Sequence, residues 1–330
     1  MLIMKNVELK FAVETVRQAA ILVKQVQSEL VTDALTKDDR SPVTVADFAA
    51  QALVARLLMQ SFPDDPLVGE EDSRTLRSHE ERDRLSWVEY FVKQYIPEAT
   101  VDDVCKWIDY GAAQTANRFW TLDPIDGTKG FLRGEQYAVA LALVVDGQVQ
   151  IGVLGCPNLS EGRKQHIGGP GSLVVAQRGQ GTWSTPLEKD DGFQQLRVSD
   201  RSAPTEACFL RSFESGHTNI SQLDVVAEKM GVKAPPVRLD SQAKYAMLAA
   251  GEGDLYFRLI NPNQKDYKEK IWDQAAGSLV AEEAGGRVSD LDGKPLDFTQ
   301  GRTLAKNRGV LASNNKLHQA ALEALREAGA

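Results

Sequence analysis

Apolar residues recur every three to four positions between Leu9 and Leu58, which is the spacing of one face of a helix. Two amphipathic helices are predicted here. The first extends from Leu9 to Leu30, and the second follows Thr44. Thr44 and Asp47 have the spacing of a capping box, so we expect the second helix to begin at Thr44. Ser41-Pro42 separates the two helices, because the residue before a proline disfavours helical backbone.

The next segment is densely charged. Residues 72–110 are predicted to form exposed helices and loops that aromatic side chains hold to the core. The predicted anchors are Trp87, Tyr90, Phe91, Tyr95 and Trp107. Beyond them, short β-rich runs bounded by Gly, Pro or Asp predict strands at 118–122, 137–145, 149–154 and 172–177.

The second half of the chain alternates strand and helix patterns. Strands are predicted at 207–210 and 255–259, and helices at 219–230, 241–250, 272–284 and 315–328. This alternation is typical of an α/β arrangement, whereas the first half has an α+β pattern. Polar and turn-forming residues cluster at 184–195. We therefore predict an N-terminal domain over 1–188 and a C-terminal domain over 189–330.

Composition narrows the class of protein. The chain has 330 residues, 42% of them hydrophobic and 25% charged, as in globular proteins and unlike disordered or fibrous ones. Its net charge of −8 is opposite in sign to that of a general nucleic-acid binder, so no nucleic-acid partner is expected. A local basic pocket can still hold a small anion.

The cysteines and the apolar runs indicate the cellular compartment of the protein. Three widely spaced cysteines without a CxxC pair predict neither a zinc site nor a disulfide framework, and they fit a reducing compartment. The longest apolar run, 137–145, is far shorter than the roughly 18 residues of a membrane span. We expect a cytoplasmic protein without membrane association.

The most informative segment is LDPIDGTKGF at 122–131. Asp123 and Asp126 at a strand end can converge on one cation, and Pro124 excludes regular structure between them. Mg²⁺ takes oxygen ligands, usually one or two carboxylates together with substrate phosphate. Gly127 and Thr128 open a predicted short helix whose N–H groups suit a phosphate oxygen. A polar turn with capping aspartates accounts for the same residues.

Three further acidic positions also have two interpretations. Glu70 stands in a run of three carboxylates, 70–72, and such runs are commonly solvated surface. The capping box alone explains Asp47. Asp273 precedes a small apolar helix, where the helix dipole favours an acid in any case. Each signal by itself leaves a purely structural role open.

Together and in this order, these segments resemble the inositol monophosphatase superfamily of lithium-sensitive, Mg²⁺-dependent phosphomonoesterases. The matching strings are VTVAD at 43–47, GEE at 69–71, DPIDGT at 123–128 and WDQAAG at 272–277. Other strings resemble the 3′(2′),5′-bisphosphate nucleotidases of that superfamily. They are SPVTVAD at 41–47, DGTKGFLRGEQY at 126–137, GCPNL at 155–159, SQAKY at 241–245 and EKIWD at 269–273.

The resemblance implies the sugar-phosphatase, or inositol monophosphatase-like, fold, in which layers of helices and sheets alternate. It implies an enzyme that removes the 3′-phosphate of the small nucleotide 3′-phosphoadenosine 5′-phosphate (PAP) and of its sulfated form, PAPS, with a role in sulfur assimilation. Two alternatives stay open. One is an inositol polyphosphate 1-phosphatase or inositol monophosphatase with the same chemistry, and the other is a non-catalytic nucleotide or metal sensor.

The resemblance also assigns roles to individual residues. The implied metal ligands are Glu70, Asp123, Asp126, Asp273 and the carbonyl of Ile125. Asp47 and Thr128 are implied to orient and activate the attacking water, and the N–H groups of Gly127 and Thr128 to contact the scissile phosphate. So many carboxylates in one pocket repel one another, and two or three Mg²⁺ would offset their charge.

The substrate side depends more heavily on the family pattern, which places Ser241, Lys244 and Arg258 around the phosphate that is not cleaved. His217 matches a position that the family places against the base. A helix cap with two surface cations, and an exposed loop histidine, account for these residues without any function. The loop at 261–266 is longer and more polar than the family's usual loop, and we expect it to affect the fit of the nucleotide at the pocket mouth.

Overall fold

The computed structural model describes residues 5–31, 41–189, 192–213, 220–261, 264 and 266–330. Its helices are α1 (Val7–Val26), α2 (Ser41–Ser61), α3 (Arg82–Lys93), α4 (Val101–Tyr110), α5 (Thr128–Arg133), α6 (Ile220–Lys229), α7 (Ala243–Ala249), α8 (Ala275–Glu283) and α9 (His318–Glu327). Its strands are β1 (Leu67–Gly69), β2 (Arg118–Asp126), β3 (Ala138–Val145), β4 (Gln148–Cys156), β5 (Leu159–Ser160), β6 (Lys164–Gln165), β7 (Ser172–Gln177), β8 (Gly181–Pro186), β9 (Gln194–Leu196), β10 (Phe209–Arg211), β11 (Val237–Arg238), β12 (Leu255–Arg258), β13 (Arg287–Ser289) and β14 (Val310–Ser313).

Two mixed sheets organise this part of the chain. The larger has the strand order β1-β2-β3-β4-β7-β8-β9, with β1 parallel to β2 and antiparallel pairs elsewhere. The smaller has the order β11-β10-β12-β14-β13, in which β10 is parallel to both of its neighbours. Strands β5 and β6 pair separately as a short ribbon.

Layers of helices and sheets alternate through the described residues. Helices α1 to α4 cover one face of the larger sheet, where Leu53 and Trp120 are fully buried. Helices α7 and α8 lie between the two sheets and share a core that contains Tyr245 and Leu279. Helices α6 and α9 cover the other face of the smaller sheet against Phe257. Because helices cover both faces of the larger sheet, a central strand such as β3 is an unbroken apolar run.

Several elements differ from the sequence prediction. Helix α2 begins at Ser41 rather than Thr44, so the predicted capping box at Thr44 is wrong. Pro42 lies in the first turn, where its missing N–H has no intrahelical role and its fixed φ suits a helix start. Trp87 and Tyr90 are 45% and 50% exposed, so they are not core anchors, whereas Phe91 is buried.

The change from one sheet to the other lies between Leu196 and Phe209. Strand β9 still belongs to the larger sheet, and β10 opens the smaller one. The division into domains at 188/189 stays a prediction. What matters for the site is that α7 and α8, together with β12, bring the second half of the chain against the ends of β1 and β2.

Candidate active site

A cavity of about 410 Å³ lies where β1 and β2 end, against α7 and β12. Most of the predicted site residues line it: Glu70, Asp123, Ile125, Asp126, Gly127, Thr128, Ser241, Lys244, Arg258 and Asp273. Asp47 is not among the lining residues and is 9% exposed. His217 lies outside the described residues, as does part of the loop at 261–266.

An irregularity in β2 places its two aspartates. Asp123 pairs with Ala140, but Asp126 pairs with Ala138, so β2 carries one extra residue between them. In a regular strand, residues three apart point to opposite faces. A bulge of one residue returns the second side chain to the face of the first. Pro124, which has no N–H for the ladder, lies within the irregular stretch, as its position in the sequence predicted.

Glu70 reaches the same place through strand pairing. Strand β1 is parallel to β2, and Gly69 pairs with Leu122. Glu70 directly follows β1, just as Asp123 follows Leu122 along β2. The two carboxylates therefore meet at one edge of the sheet, although 52 residues separate them in the sequence.

Asp47 lies on the second turn of α2 and is nearly buried. Since the helix begins at Ser41, Asp47 does not serve the capping role that would explain it without function. Burial raises the pKa of Asp47 well above its usual range, and the charges of Glu71 and Glu70 add to the effect. Its carboxylate therefore belongs to the same electrostatic group as the residues that line the cavity.

Asp273 lies just before α8, whose N-cap is Gln274. Helix α8 packs closely because its first turns carry small residues. A Cβ added at Gly277 would lie 2.1 Å from Cδ2 of Tyr245. The Gln242 side chain fixes the segment further, since its Nε2 donates to the Trp272 carbonyl at 3.0 Å and its Oε1 accepts from the Gly277 N–H at 2.9 Å. The Gln242 backbone N–H also donates to Asp126 at 2.6 Å, which ties the two aspartates to one residue.

The carboxylates raise one another's pKa values. Burial raises the pKa of Asp123 well above its usual range, and the charges of Glu70, Asp126, Asp273 and Asp47 act in the same direction. Desolvation in the pocket and then the charge of Asp126 raise the pKa of Glu70 to about 7, although Glu70 is an exposed residue. Burial is also the main cause that raises the pKa values of Asp126 and Asp273, against the charge of Arg258.

These residues fit a hard divalent cation. Their donor atoms are all oxygens, the ligands that Mg²⁺ takes in proteins. Asp123 is 3% exposed, and its Oδ1 has no hydrogen-bond partner, which is costly for a buried carboxylate. Within the described residues, no three His, Cys, Asp or Glu side chains already enclose a point as metal ligands do. The carboxylates thus line one cavity and supply the oxygen donors that such a cation takes.

Cationic side chains also line the cavity. Lys244 is 2% exposed, and its Nζ donates to Ser212 Oγ at 3.1 Å. Burial lowers the pKa of Lys244 to about 8, against the charges of Asp126 and Asp240, which raise it. Arg258 donates to Glu269 at 2.8 Å, and its Nη2 lies 3.6 Å from Asp273 Oδ2.

A close approach between Gly127 and Ser241 shapes one wall of the cavity. Gly127 has φ of +92°, and a Cβ there would lie 2.9 Å from Cβ of Ser241, so a side chain at 127 would push these segments apart. Ser241 itself has φ of 68°, which is uncommon for a non-glycine residue. Its Oγ accepts from the Ala243 N–H at the start of α7, as the helix-cap interpretation predicted. The residue nonetheless lines the cavity, so the capping and binding roles are compatible.

Sequence reasoning missed several residues of this site. Gln51 is fully buried, and its amide donates to the Glu71 carbonyl at 2.7 Å and accepts from the Glu71 N–H at 3.0 Å. The sequence does mark Gln51, because this polar residue lies one helical turn after Asp47 in an otherwise apolar stretch of α2. Tyr267 lines the cavity without any motif that marks it, and Lys270 also lines it, although the EKIWD string that contains Lys270 implied no role for this residue.

Comparison with known proteins agrees with the resemblance. The sequence profile of the Inositol monophosphatase family matches residues 4–330. A 3′(2′),5′-bisphosphate nucleotidase of Schizosaccharomyces pombe is 41% identical over 338 residues, which cover 97% of this chain and 95% of the relative. A protein of the same name from Oryza sativa is also 41% identical, over 97% of this chain and 94% of the relative.

Solved structures agree at the level of the fold. Mycobacterium tuberculosis SuhB superposes with a TM-score of 0.63 at 21% identity, covering 97% of this chain and 96% of that one. The inositol monophosphatase from Anabaena (Nostoc) sp. PCC 7120 superposes with a TM-score of 0.61 at 20% identity, covering 97% and 94%. The predicted alternating-layer fold is therefore confirmed.

Proposed function

The chain belongs to the inositol monophosphatase family, and we propose that it is a Mg²⁺-dependent 3′(2′),5′-bisphosphate nucleotidase that converts PAP to AMP and also acts on PAPS. The near-full-length relatives of that name support the substrate class. The observation on this chain that carries the proposal is one cavity that both the carboxylates and the cationic side chains of Lys244 and Arg258 line.

This arrangement suits a substrate with two separated phosphates. The cleaved phosphate would face the carboxylates through Mg²⁺, and the retained phosphate would contact the cationic side chains. Lys244 is the stronger anchor for the retained phosphate, because Arg258 is already paired with Glu269 and lies 3.6 Å from Asp273. Ser241 also lines the cavity, where its hydroxyl would contact the retained phosphate.

The metal ligands in this proposal are Glu70, Asp123, Asp126, Asp273 and the Ile125 carbonyl. Mg²⁺ held by them supplies positive charge against the phosphoryl oxygens and acidifies an attacking water. Asp47 and Thr128 would orient and activate that water, and the Asp47 carboxylate would accept its proton. The N–H groups of Gly127 and Thr128, at the start of α5, would hold the scissile phosphate, because first-turn N–H groups have no partner within their own helix.

The test is phosphate release from PAP, inositol 1,4-bisphosphate and inositol 1-phosphate, each measured with Mg²⁺ and with EDTA. We expect a strong preference for PAP that disappears in EDTA. Asp123→Asn and Asp126→Asn should abolish turnover while the protein stays folded. Asp292→Asn removes a carboxylate that pairs with Arg308 away from the cavity, so it should retain the wild-type rate.

Each other outcome has a definite meaning. Faster release from an inositol phosphate would keep the metal chemistry and overturn the nucleotide assignment. No release from any of the three substrates would favour a sensor. A near-normal rate in Asp126→Asn would contradict the assignment of the metal site.

We also propose that the enzyme works in the cytoplasm. One helix among the described residues, Pro42–Ser61, is long and apolar enough to cross a membrane by composition, but 78% of its apolar window is buried in the fold. It is thus a core helix, and it carries Asp47 and Gln51 inward to the site.

A further inference from the structure

The loop between β13 and β14 approaches the metal side of the cavity through Arg302. Its backbone runs antiparallel to the segment that leads to Asp273. The Ile271 N–H donates to the Arg302 carbonyl at 3.2 Å, and the Leu304 N–H donates to the Glu269 carbonyl at 2.9 Å. Arg302 is therefore tied by its main chain to the part of the site that the second half of the chain contributes.

The Arg302 side chain reaches in the other direction, to the first half of the chain. Its Nη1 donates to the carbonyls of Gly111 and Ala113, each at 3.2 Å, and its Nη2 donates to the carbonyl of Gly69. Gly69 immediately precedes Glu70. Three bonds from one planar group fix both its position and its orientation, which a lysine ammonium cannot reproduce.

The same guanidinium stacks on an aromatic ring beside the other end of the site. Its Cζ lies 4.8 Å from the centroid of the Trp272 ring. Trp272 immediately precedes Asp273 and is 5% exposed. One side chain thus contacts the residue before Glu70 and the residue before Asp273, two positions more than 200 residues apart in the sequence.

We propose that Arg302 is a positioning residue that sets the spacing between Glu70 and Asp273, the acidic side chains that the two halves of the chain contribute to the cation site. The inference rests on the proposed function only in taking both carboxylates as ligands. Arg302 does not line the cavity, so it acts through the two neighbouring residues and not on substrate.

The test measures cation affinity directly, with Mn²⁺ as the probe and electron paramagnetic resonance to count free ion in a titration. Arg302→Met removes the charge and the three hydrogen bonds to backbone carbonyls, whereas Arg302→Lys keeps the charge and removes the planar guanidinium. Because residues that orient metal ligands typically contribute about 10-fold to 100-fold in affinity, both variants should raise the Mn²⁺ dissociation constant by about tenfold or more. High Mg²⁺ should restore part of the lost turnover.

Arg178→Met is the matched control. Arg178 also joins the two halves of the chain, since it donates to the Val149 carbonyl at 3.1 Å and to Glu282 at 2.9 Å. Glu282 lies near the C-terminal end of α8, and Asp273 precedes the opposite end, so the control removes a comparable arginine away from the cation site. It should leave the Mn²⁺ dissociation constant unchanged.

The outcomes separate this inference from the proposed function. Wild-type affinity in both Arg302 variants would overturn the positioning role, and wild-type affinity in Arg302→Lys alone would overturn the requirement for the planar guanidinium, because loss of a positive charge would by itself favour cation binding. If Arg302→Met does not fold, as judged by circular dichroism in EDTA, the comparison of Arg302→Lys with Arg178→Met decides. A wild-type protein that binds no Mn²⁺ and releases no phosphate would contradict the proposed function instead.

Discussion

Replacing Gln51 by Leu tests whether the segment that carries Glu70 depends on a side chain of α2. Gln51 is 0% exposed, and its amide makes three hydrogen bonds. Nε2 donates to the carbonyls of Glu71 at 2.7 Å and Ile108 at 2.8 Å, and Oε1 accepts from the Glu71 N–H at 3.0 Å. The amide therefore pairs with Glu71 on both sides, as a neighbouring strand would. Leu has nearly the same volume, so the change removes the bonds without opening a large cavity.

The expected loss follows from the groups left without partners. The Ile108 carbonyl retains a bond from the Gly111 N–H at 3.0 Å, so its loss is partial. The N–H and carbonyl of Glu71 lose the amide, and an unsatisfied buried group costs about 1–3 kcal/mol. We expect the free energy of unfolding to fall by about 2–4 kcal/mol. The Mg²⁺ concentration for half-maximal turnover should also rise, because Glu70 adjoins Glu71.

Urea denaturation in EDTA measures the first effect, and phosphate release against Mg²⁺ concentration measures the second. Gln18→Leu is the control, since Gln18 makes an exposed bond to Glu14 within α1 and should change stability by less than about 0.5 kcal/mol. If Gln51→Leu were as stable as Gln18→Leu, the bonds to Glu71 would not hold the segment. A loss of stability with an unchanged Mg²⁺ requirement would show that Glu70 does not depend on it.

Three further predictions concern charge and packing. The pKa of Glu70 is raised from its ordinary 4.5 to about 7 in the folded, metal-free protein. Between these two pH values Glu70 keeps a proton that the unfolded chain releases, so the free energy of unfolding falls as pH rises from about 4.5 through 7. Mg²⁺ should therefore raise the melting temperature more at pH 8 than at pH 5.5, and an equal shift at both would contradict this. Lys244→Ala should raise KM for PAP by about tenfold or more with a smaller change in kcat, since a bond to a charged group contributes about 1.5–3 kcal/mol, and steady-state kinetics checks it. Gly277→Ala should destabilise the protein by about 1–3 kcal/mol in urea despite the better helix propensity of Ala, because the new Cβ would lie 2.1 Å from the Tyr245 ring; a gain in stability would refute this.

The acidic side of the site was predictable because its signals are local. The sequence predicted a strand that ends at residue 122, because Pro124 excludes regular structure between the two aspartates. Strand β2 instead continues to Asp126, so the predicted end is wrong, but its register shifts between Asp123 and Asp126. Glu70 follows a short apolar run, which is strand β1. The predicted start of α2 at Thr44 is wrong: Thr44 and Asp47 have capping-box spacing, but Pro42 lies in the first turn of the helix and does not interrupt it. With a helix start at Thr44, a capping role would explain Asp47 without any function in catalysis.

The residues that hold the site in place were not predictable in the same way, because their partners are distant in the sequence. Gln51 bonds to Glu71, 20 residues away, and Arg302 bonds to the Gly69 carbonyl, 233 residues away. Both bonds end on backbone atoms, so the partner's residue type carries no signal. A buried glutamine in an apolar helix at least raises the question of what it bonds to, whereas an arginine in a polar loop does not. Local patterns can therefore identify the atoms that bind a cation, but the spacing between those atoms is set by long-range contacts that only the fold reveals.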